Sequence, residues 1–367
     1  MQCAPSIEVD CHLITPPVRC DAIDFKIVDP TTASDWDRLV ASHGGFNFFH
    51  RAAWAKVLCR TYGHRPLYLQ CYRGTESVAL VPMMEVASPF TGRRGVSLPF
   101  SDVCEPLVSG EWGREFLTTK LLELGHLRKW RYFELRGGRE SLPQSAVPAE
   151  KYYGHKLDLR IDLDRLFDSF HSSVRRAIRK AEKTELVAET RTTWDAVTDF
   201  YKLHARTRRR HGLPPQPLSF FRNIYKEVIE AGLGFVVLAR YRLRPIAAAV
   251  FFHSGDEALY KFGASDERLW NVRANNLVMW EGIKQLAGKG LKAMHFGRTD
   301  LTDDGLRRFK LSWGTKEQVI EYFRFAIKTQ VWDHIRRDGS GLHNQLFGRL
   351  PLAVNHLAGT LVYRHLD

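Results

Sequence analysis

The residues best spaced for chemistry lie between Leu291 and Phe323, in the run LKAMHFGRTDLTDDGLRRFKLSWGTKEQVIEYF. An apolar strand, Met294 to Phe296, breaks at Gly297. A polar loop then carries Arg298, Asp300, Asp303 and Asp304, and a short helix carries Arg307, Arg308 and Lys310 before Trp313-Gly314 stops it. A strand end sets polar side chains at a sheet edge, and the next helix presents N–H groups without intrahelical partners. Arg298 and Lys310 thus read as two cations converging on a phosphate or carboxylate. Asp300 either orients Arg298, accepts a proton or caps the helix, a role Asp303 and Asp304 share. An ordinary surface crossover with solvated charges has the same pattern. His295 reads as a satisfied core histidine and Trp313 as core.

Further candidates sit elsewhere. Tyr260 and Lys261 belong to a strand at 258–265. Lys261 either offers its charge to a phosphate or carboxylate or snorkels from an apolar surface, and Tyr260 is a catalytic candidate or a core ring. Asp102 lies in a loop at 95–110 and is expected to be exposed. Two basic runs, HSSVRRAIRKAEKT at 171–184 and RTRRRHGLPPQP at 206–217, bring Arg175, Arg176, Arg179 and Lys180, and Arg208 and Arg209, as phosphate or nucleic-acid contacts. Few aromatics interleave them, so contact is expected to phosphate rather than to bases and to weaken steeply with salt.

Composition frames these candidates. The net charge is +13 over 367 residues, which favours an anionic partner without naming it. The length predicts two domains. Six scattered cysteines show no metal-ligand spacing, so neither a structural metal nor a disulfide framework is expected. The first 23 residues read as a flexible lead without a signal peptide, and no stretch reaches the ~18 apolar residues of a spanning helix. The expected location is the cytoplasm, with peripheral contact at the inner membrane face left open.

The element order helix, helix, hairpin, helix, strand occurs twice, which predicts a tandem duplication of one α/β unit. The first unit is expected at 24–160, a basic connecting helix at 161–184, and the second unit at 185–328. Hairpins are expected at 67–86 and 234–253. The tail, 329–367, opens as a short helix at VWDHIRRDGSG. Its apolar end either packs on the body, the favoured reading, or lies on a membrane surface.

YKFGASD (260–266), ANNLVMWEGI (274–283), HFGRTD…LRRFKLSWGT (295–315) and RRAIRKAEK (175–183) together resemble the FemAB-type acyltransferases. LHARTRRRHGLPPQPLSFF (203–221) is similar to the subgroup found with exopolysaccharide and exosortase systems. The resemblance spans roughly residues 25 to 366. It implies an α/β (α+β) fold of two tandem GNAT-like domains, each a mixed, mostly antiparallel sheet flanked by helices. It also implies transfer of an acyl or aminoacyl group to an amine of a cell-envelope or exopolysaccharide precursor, from acetyl-CoA, another acyl-CoA or aminoacyl-tRNA. The implied partners are an anionic or lipid-linked precursor and tRNA.

The glycine-rich phosphate turn of ordinary acetyltransferases is replaced here by Asn271-Val272-Arg273-Ala274-Asn275-Asn276. That restricts backbone approach to a diphosphate. The first half offers only Val108-Ser109-Gly110-Glu111-Trp112-Gly113. No Ser-His-Asp or Cys-His set is readable, so direct attack in a ternary complex is expected. Tyr260 and Asp300 are then the catalytic candidates, with Asp102, Lys261, Arg298 and Lys310 binding substrate. Two other readings stay open: an acetyl-CoA-dependent N-acetyltransferase on an amino sugar, and a non-catalytic protein binding RNA or a polysaccharide precursor.

Overall fold

Continuous apolar runs make Gly234–Tyr241 and Arg244–Ser254 a hairpin buried on both faces, turned by Arg242 and Leu243 at φ 48° and 64°. Glu257–Ser265 adds antiparallel to its open side and Leu186–Arg191 to the other. The computed structural model describes residues 23–109, 114–333 and 351–367. The lead, the turn at 110–113 and the segment 334–350 lie outside the described residues.

Among the described residues the strands form a sheet of twelve and a sheet of four. From one edge, the large sheet runs Leu186–Arg191, Gly234–Tyr241, Arg244–Ser254, Glu257–Ser265, Ala293–Asp300 and Glu150–Asp158. It continues with Lys316–Ala326, Tyr132–Arg136, Gly92–Val96, Met84–Ser88 and Arg65–Pro66, while Val331–Asp333 pairs with Lys316–Ala326. Each half contributes one parallel pair, Gly92–Val96 with Tyr132–Arg136 and Glu257–Ser265 with Ala293–Asp300. The halves exchange strands. Glu150–Asp158 lies between Ala293–Asp300 and Lys316–Ala326, and Lys316–Ala326 pairs onward with Tyr132–Arg136. One continuous sheet therefore joins two GNAT-like units.

Helices Ala52–Tyr62, Trp194–Arg210 and Leu218–Ile224 cover one face of its second half, where Trp54 packs edge-on against Phe49 and Phe220. Leu163–Ser169, Ser172–Glu182 and Ala274–Gly288 cover the other. In Ser172–Glu182 the buried side is Val174, Ile178 and Ala181, as the spacing predicts.

Several expectations need correction. The apolar run at 77–86 is two strands: Glu76–Val81 joins the small sheet and Met84–Ser88 the large one, because Pro82 has no N–H for a ladder. The expected loop at 95–110 begins inside Gly92–Val96 and holds Leu107–Val108. The basic run at 206–217 is helical as far as Arg210. Val331–Asp333 is a strand, held by Arg324 to Ala326, rather than the start of a helix.

The tail helix Leu352–Val362 lays Gly359 so close to Pro215 that a Cβ would stand 2.0 Å from its carbonyl. Tyr363 is buried beside it, accepting from Arg208 at 2.6 Å and donating to the Pro214 carbonyl at 3.1 Å. Arg94 donates to the Asp367 carboxylate at 2.5 Å and to the His365 carbonyl at 2.7 Å. Among the described residues no helix is long and apolar enough to cross a membrane.

Candidate functional site

The parallel pair of the second half comes apart. Glu257, Ala258 and Leu259 pair with Ala293, Met294 and His295, and past that rung the two strands have no shared ladder. Both are irregular where they part. The first skips Lys261 in its pairing with Arg244–Ser254, and the second skips Phe296 and Gly297 in its pairing with Glu150–Asp158. A bulge bends its strand and increases the local twist, so two at one level drive the strands apart. Gly297 takes φ 69° there, and a Cβ would come within 3.3 Å of an Asp102 oxygen. Gly297→Ala is therefore expected to cost about 1–2 kcal/mol, readable as a lowered midpoint in denaturant.

Asp102 bridges the gap. Its carboxylate accepts from Lys261 at 2.9 Å and from the Arg298 amide at 3.3 Å. Burial opposes its ionisation, but Lys261 and Arg298 outweigh it and hold the carboxyl at about 2. Burial pulls the Lys261 ammonium down, and Asp102 opposes that. The expected exposure of Asp102 is not met, because residues of both halves pin its loop. Arg136 donates to the carbonyls of Leu98 and Ser101, Tyr322 to that of Asp102, and Lys261 to that of Phe100. Leu98 and Phe100 sit at φ 60° and 59°, a left-handed backbone that these donors hold in place.

The structure thus gathers Asp102, Lys261 and Arg298, and gives the cations internal work. Arg298 lies in the strand, not in a loop, with its guanidinium 4.5 Å from the Tyr152 ring centre and 5.2 Å from that of Tyr322. Lys310 is buried and donates to the carbonyls of Gly297 at 2.9 Å and Arg298 at 3.0 Å, buttressing the bulge. Burial brings its ammonium down to about 8, against the pull of Asp102 and Asp303. The expected Arg298–Lys310 phosphate clamp is replaced by these contacts. Asp300 also belongs to the strand and accepts from the Thr302 amide and hydroxyl, while Asp303 caps helix Asp304–Leu311.

A hollow lies on each face of the split. On the side of Asp102, a cavity of about 290 Å³ is walled by Phe49, Asp102, Lys156, Glu257, His295 and Gln318. His295 Nε2 stands 3.2 Å from a Glu257 oxygen, and Lys156 bonds the other oxygen of that carboxylate. Those bonds, from His295 first and Lys156 next, hold Glu257 at about 2 despite burial. The core role expected of His295 is corrected accordingly: its side chain is 29% exposed and faces this cavity. Period-2 alternation from Leu259 and Ala293 would have placed Glu257 and His295 on one face, but the pairing that joins them is not local.

On the opposite face a groove of adjoining hollows begins with Tyr260, Gly263, Asn275, Met279 and Phe309, about 280 Å³. It continues past Phe309 to Arg273, Asn276, Arg176 and Lys180. Arg273 takes the left-handed φ of 62° in front of helix Ala274–Gly288, so the turn keeps its shape without glycine and adds a cation at the helix N-terminus. Of the basic residues singled out from the sequence, Arg176 and Lys180 line the groove. Arg175 pairs with Asp168 at 3.3 Å, and Arg179 covers the Phe167 ring. Arg208 is committed to Tyr363, and that helix reaches the groove through Thr207 and Arg210 rather than Arg209. Among the described residues no three His, Cys, Asp or Glu side chains gather as metal ligands.

Residues 168–311, which contain the split pair and the groove, match the family model described as an acetyltransferase (GNAT) domain. The whole arrangement has the tandem GNAT-type fold. It is similar to the crystal structure of FemX, with a TM-score of 0.63 at 14% identity over 81% of this chain and 96% of that one. It is also similar to a tandem GNAT protein from the clavulanic acid biosynthesis pathway, with a TM-score of 0.54 at 11% identity over 83% and 99%. The L-PGS structure from Bacillus licheniformis gives 0.53 at 11% identity over 86% and 97%. At such identities the likeness is one of fold. Among curated proteins none matches the chain in sequence.

Proposed function

We propose that this protein is an acyltransferase carrying an acyl or aminoacyl group from a phosphate-bearing donor to an amine of a cell-envelope or exopolysaccharide precursor on the cytoplasmic side. The observation that carries the reading is the split strand pair with a hollow on each face, which lets donor and acceptor meet from opposite sides. The donor's acyl arm lies along Tyr260, Met279 and Phe309, and its phosphate meets Arg273, Arg176 and Lys180. The acceptor amine enters the cavity beside His295.

The amine nitrogen forms a bond to the acyl carbonyl carbon, and the carbon–sulfur or carbon–oxygen bond of the donor breaks with its electron pair on the leaving atom. Glu257 accepts from His295 Nε2, which leaves Nδ1 to take the amine proton. Past Leu259 the strand has no partner on the split side, so its amides can meet the developing oxyanion. Holding both reactants across one gap supplies much of the remaining rate. Tyr260 serves the donor's arm, and Asp102, Lys261, Arg298 and Lys310 keep the gap open.

Thermal shifts with acetyl-CoA, a longer acyl-CoA and aminoacyl-tRNA, followed by transfer to an amino-sugar nucleotide, test the reading. A shift with one donor class and none with the other names the donor. No shift with any of them sinks the reading and leaves a binding protein. Arg176→Ala with Lys180→Ala is expected to weaken donor binding about tenfold or more, measured by titration calorimetry.

A further inference from the structure

The tail helix Leu352–Val362 is turned inside out. Asn355 and Gly359 face the body, as does Tyr363 just beyond, whereas Val354, Leu357 and Leu361 are 46%, 61% and 57% exposed. Those three follow i, i+3, i+7 spacing, so they form one outward apolar row. Leu366, 44% exposed, extends it. Beside its end, Phe90 is 81% exposed at the tip of the Met84–Ser88 and Gly92–Val96 hairpin, its ring 5.2 Å from that of His365.

Basic residues flank the row. Tyr201, 5.5 Å from His356, and Arg208, bonded to Tyr363, bring helix Trp194–Arg210 alongside the tail helix. On that neighbour, Lys202, Arg206 and Arg209 follow i, i+4, i+7 and so share a side next to the contact row. Arg364 is exposed at the end of the tail helix. Apolar side chains that point outward within a border of cations match an anionic bilayer surface, whose headgroups take the charges while its acyl boundary takes the aliphatic tips.

We propose that this face is a docking surface for an anionic lipid bilayer, with Leu357, Leu361 and Phe90 entering the interface and Arg206 and Arg364 meeting headgroups. The surface is separate from the strand split, so the proposal stands whether or not acyl transfer is the activity. Docking there holds the protein at the membrane without a spanning helix. One weak insertion and one basic border form the two signals that stable anchoring takes.

Cosedimentation of the full chain with phosphatidylcholine vesicles, with and without phosphatidylglycerol, tests it. Binding is expected only with phosphatidylglycerol and is expected to fall at least about tenfold in high salt. Leu357→Ser with Leu361→Ser, and separately Arg206→Glu with Arg364→Glu, should each lower it comparably. Both pairs change exposed positions, and unchanged thermal melts show that they fold. No binding by the parent chain, or equal binding by the folded serine variant, overturns the proposal. Self-association that the serine pair abolishes, without vesicle binding, also overturns it and assigns the face to a second copy.

Discussion

Replacing His295 by alanine is expected to lower the turnover of acyl transfer by roughly 10²–10⁴-fold, the range that a positioned general base supplies. His295 stands on the last rung before the strands part and lines the acceptor cavity, with Glu257 3.2 Å from its Nε2. Donor affinity should be unchanged, because the groove opens on the other face. Glu257→Gln should lose less, since it removes the charge that stabilises an imidazolium but keeps the side chain's size. A His295→Ala enzyme that turns over at the parent rate would remove the base from the mechanism while leaving the fold and the donor site intact.

The second large effect is on stability. Asp102→Ala strands the Lys261 ammonium, whose side chain is 9% exposed, without its counter-charge. Losing one partner of a buried pair costs about 3–5 kcal/mol. The same loop would lose its bond to the Arg298 amide, so the gap between the strands should loosen as well. Asp102→Leu combined with Lys261→Met should recover most of the loss, because neither charge is then buried alone. Equilibrium denaturation of the three variants reads this, and an Asp102→Ala protein as stable as its parent would contradict it.

Acid acts on the same pair. The Asp102 carboxyl is held at about 2, below its ordinary 3.8. A depressed carboxyl stabilises the fold above its unfolded value and loses that contribution as pH falls through the folded value. A contribution of about 2 kcal/mol should thus be present above pH ~4 and fade toward pH ~2. It should be missing from the Asp102→Leu, Lys261→Met protein.

Much of this fold is legible in the chain itself. Short apolar runs bounded by a turn mark the strands of the second hairpin, and i, i+3, i+4 spacing marks the buried sides of Ala52–Tyr62 and Ser172–Glu182. The recurrence of element order identifies a duplicated unit. Asp102, Lys261, Arg298 and Lys310 stand out as charges in or beside apolar sequence. Their types also announce that charge must be balanced somewhere.

The partners that balance those charges are not legible, because they are distant along the chain. Asp102 meets Lys261 across 159 residues and the Arg298 amide across 196. Periodicity tells which face a side chain takes, yet it is silent on which strand lies next to it. The exchange of Glu150–Asp158 and Lys316–Ala326 between halves, the two bulges at Lys261 and Gly297, and the dyad of Glu257 and His295 all depend on pairing register. The outward turn of Leu357 and Leu361 depends instead on helix packing, through the close approach of Gly359 to Pro215. Local patterns in the chain settle what each segment is. Long-range packing settles which charges are spent holding the scaffold and which face a ligand, since burial and pairing energies exist only between segments that have met.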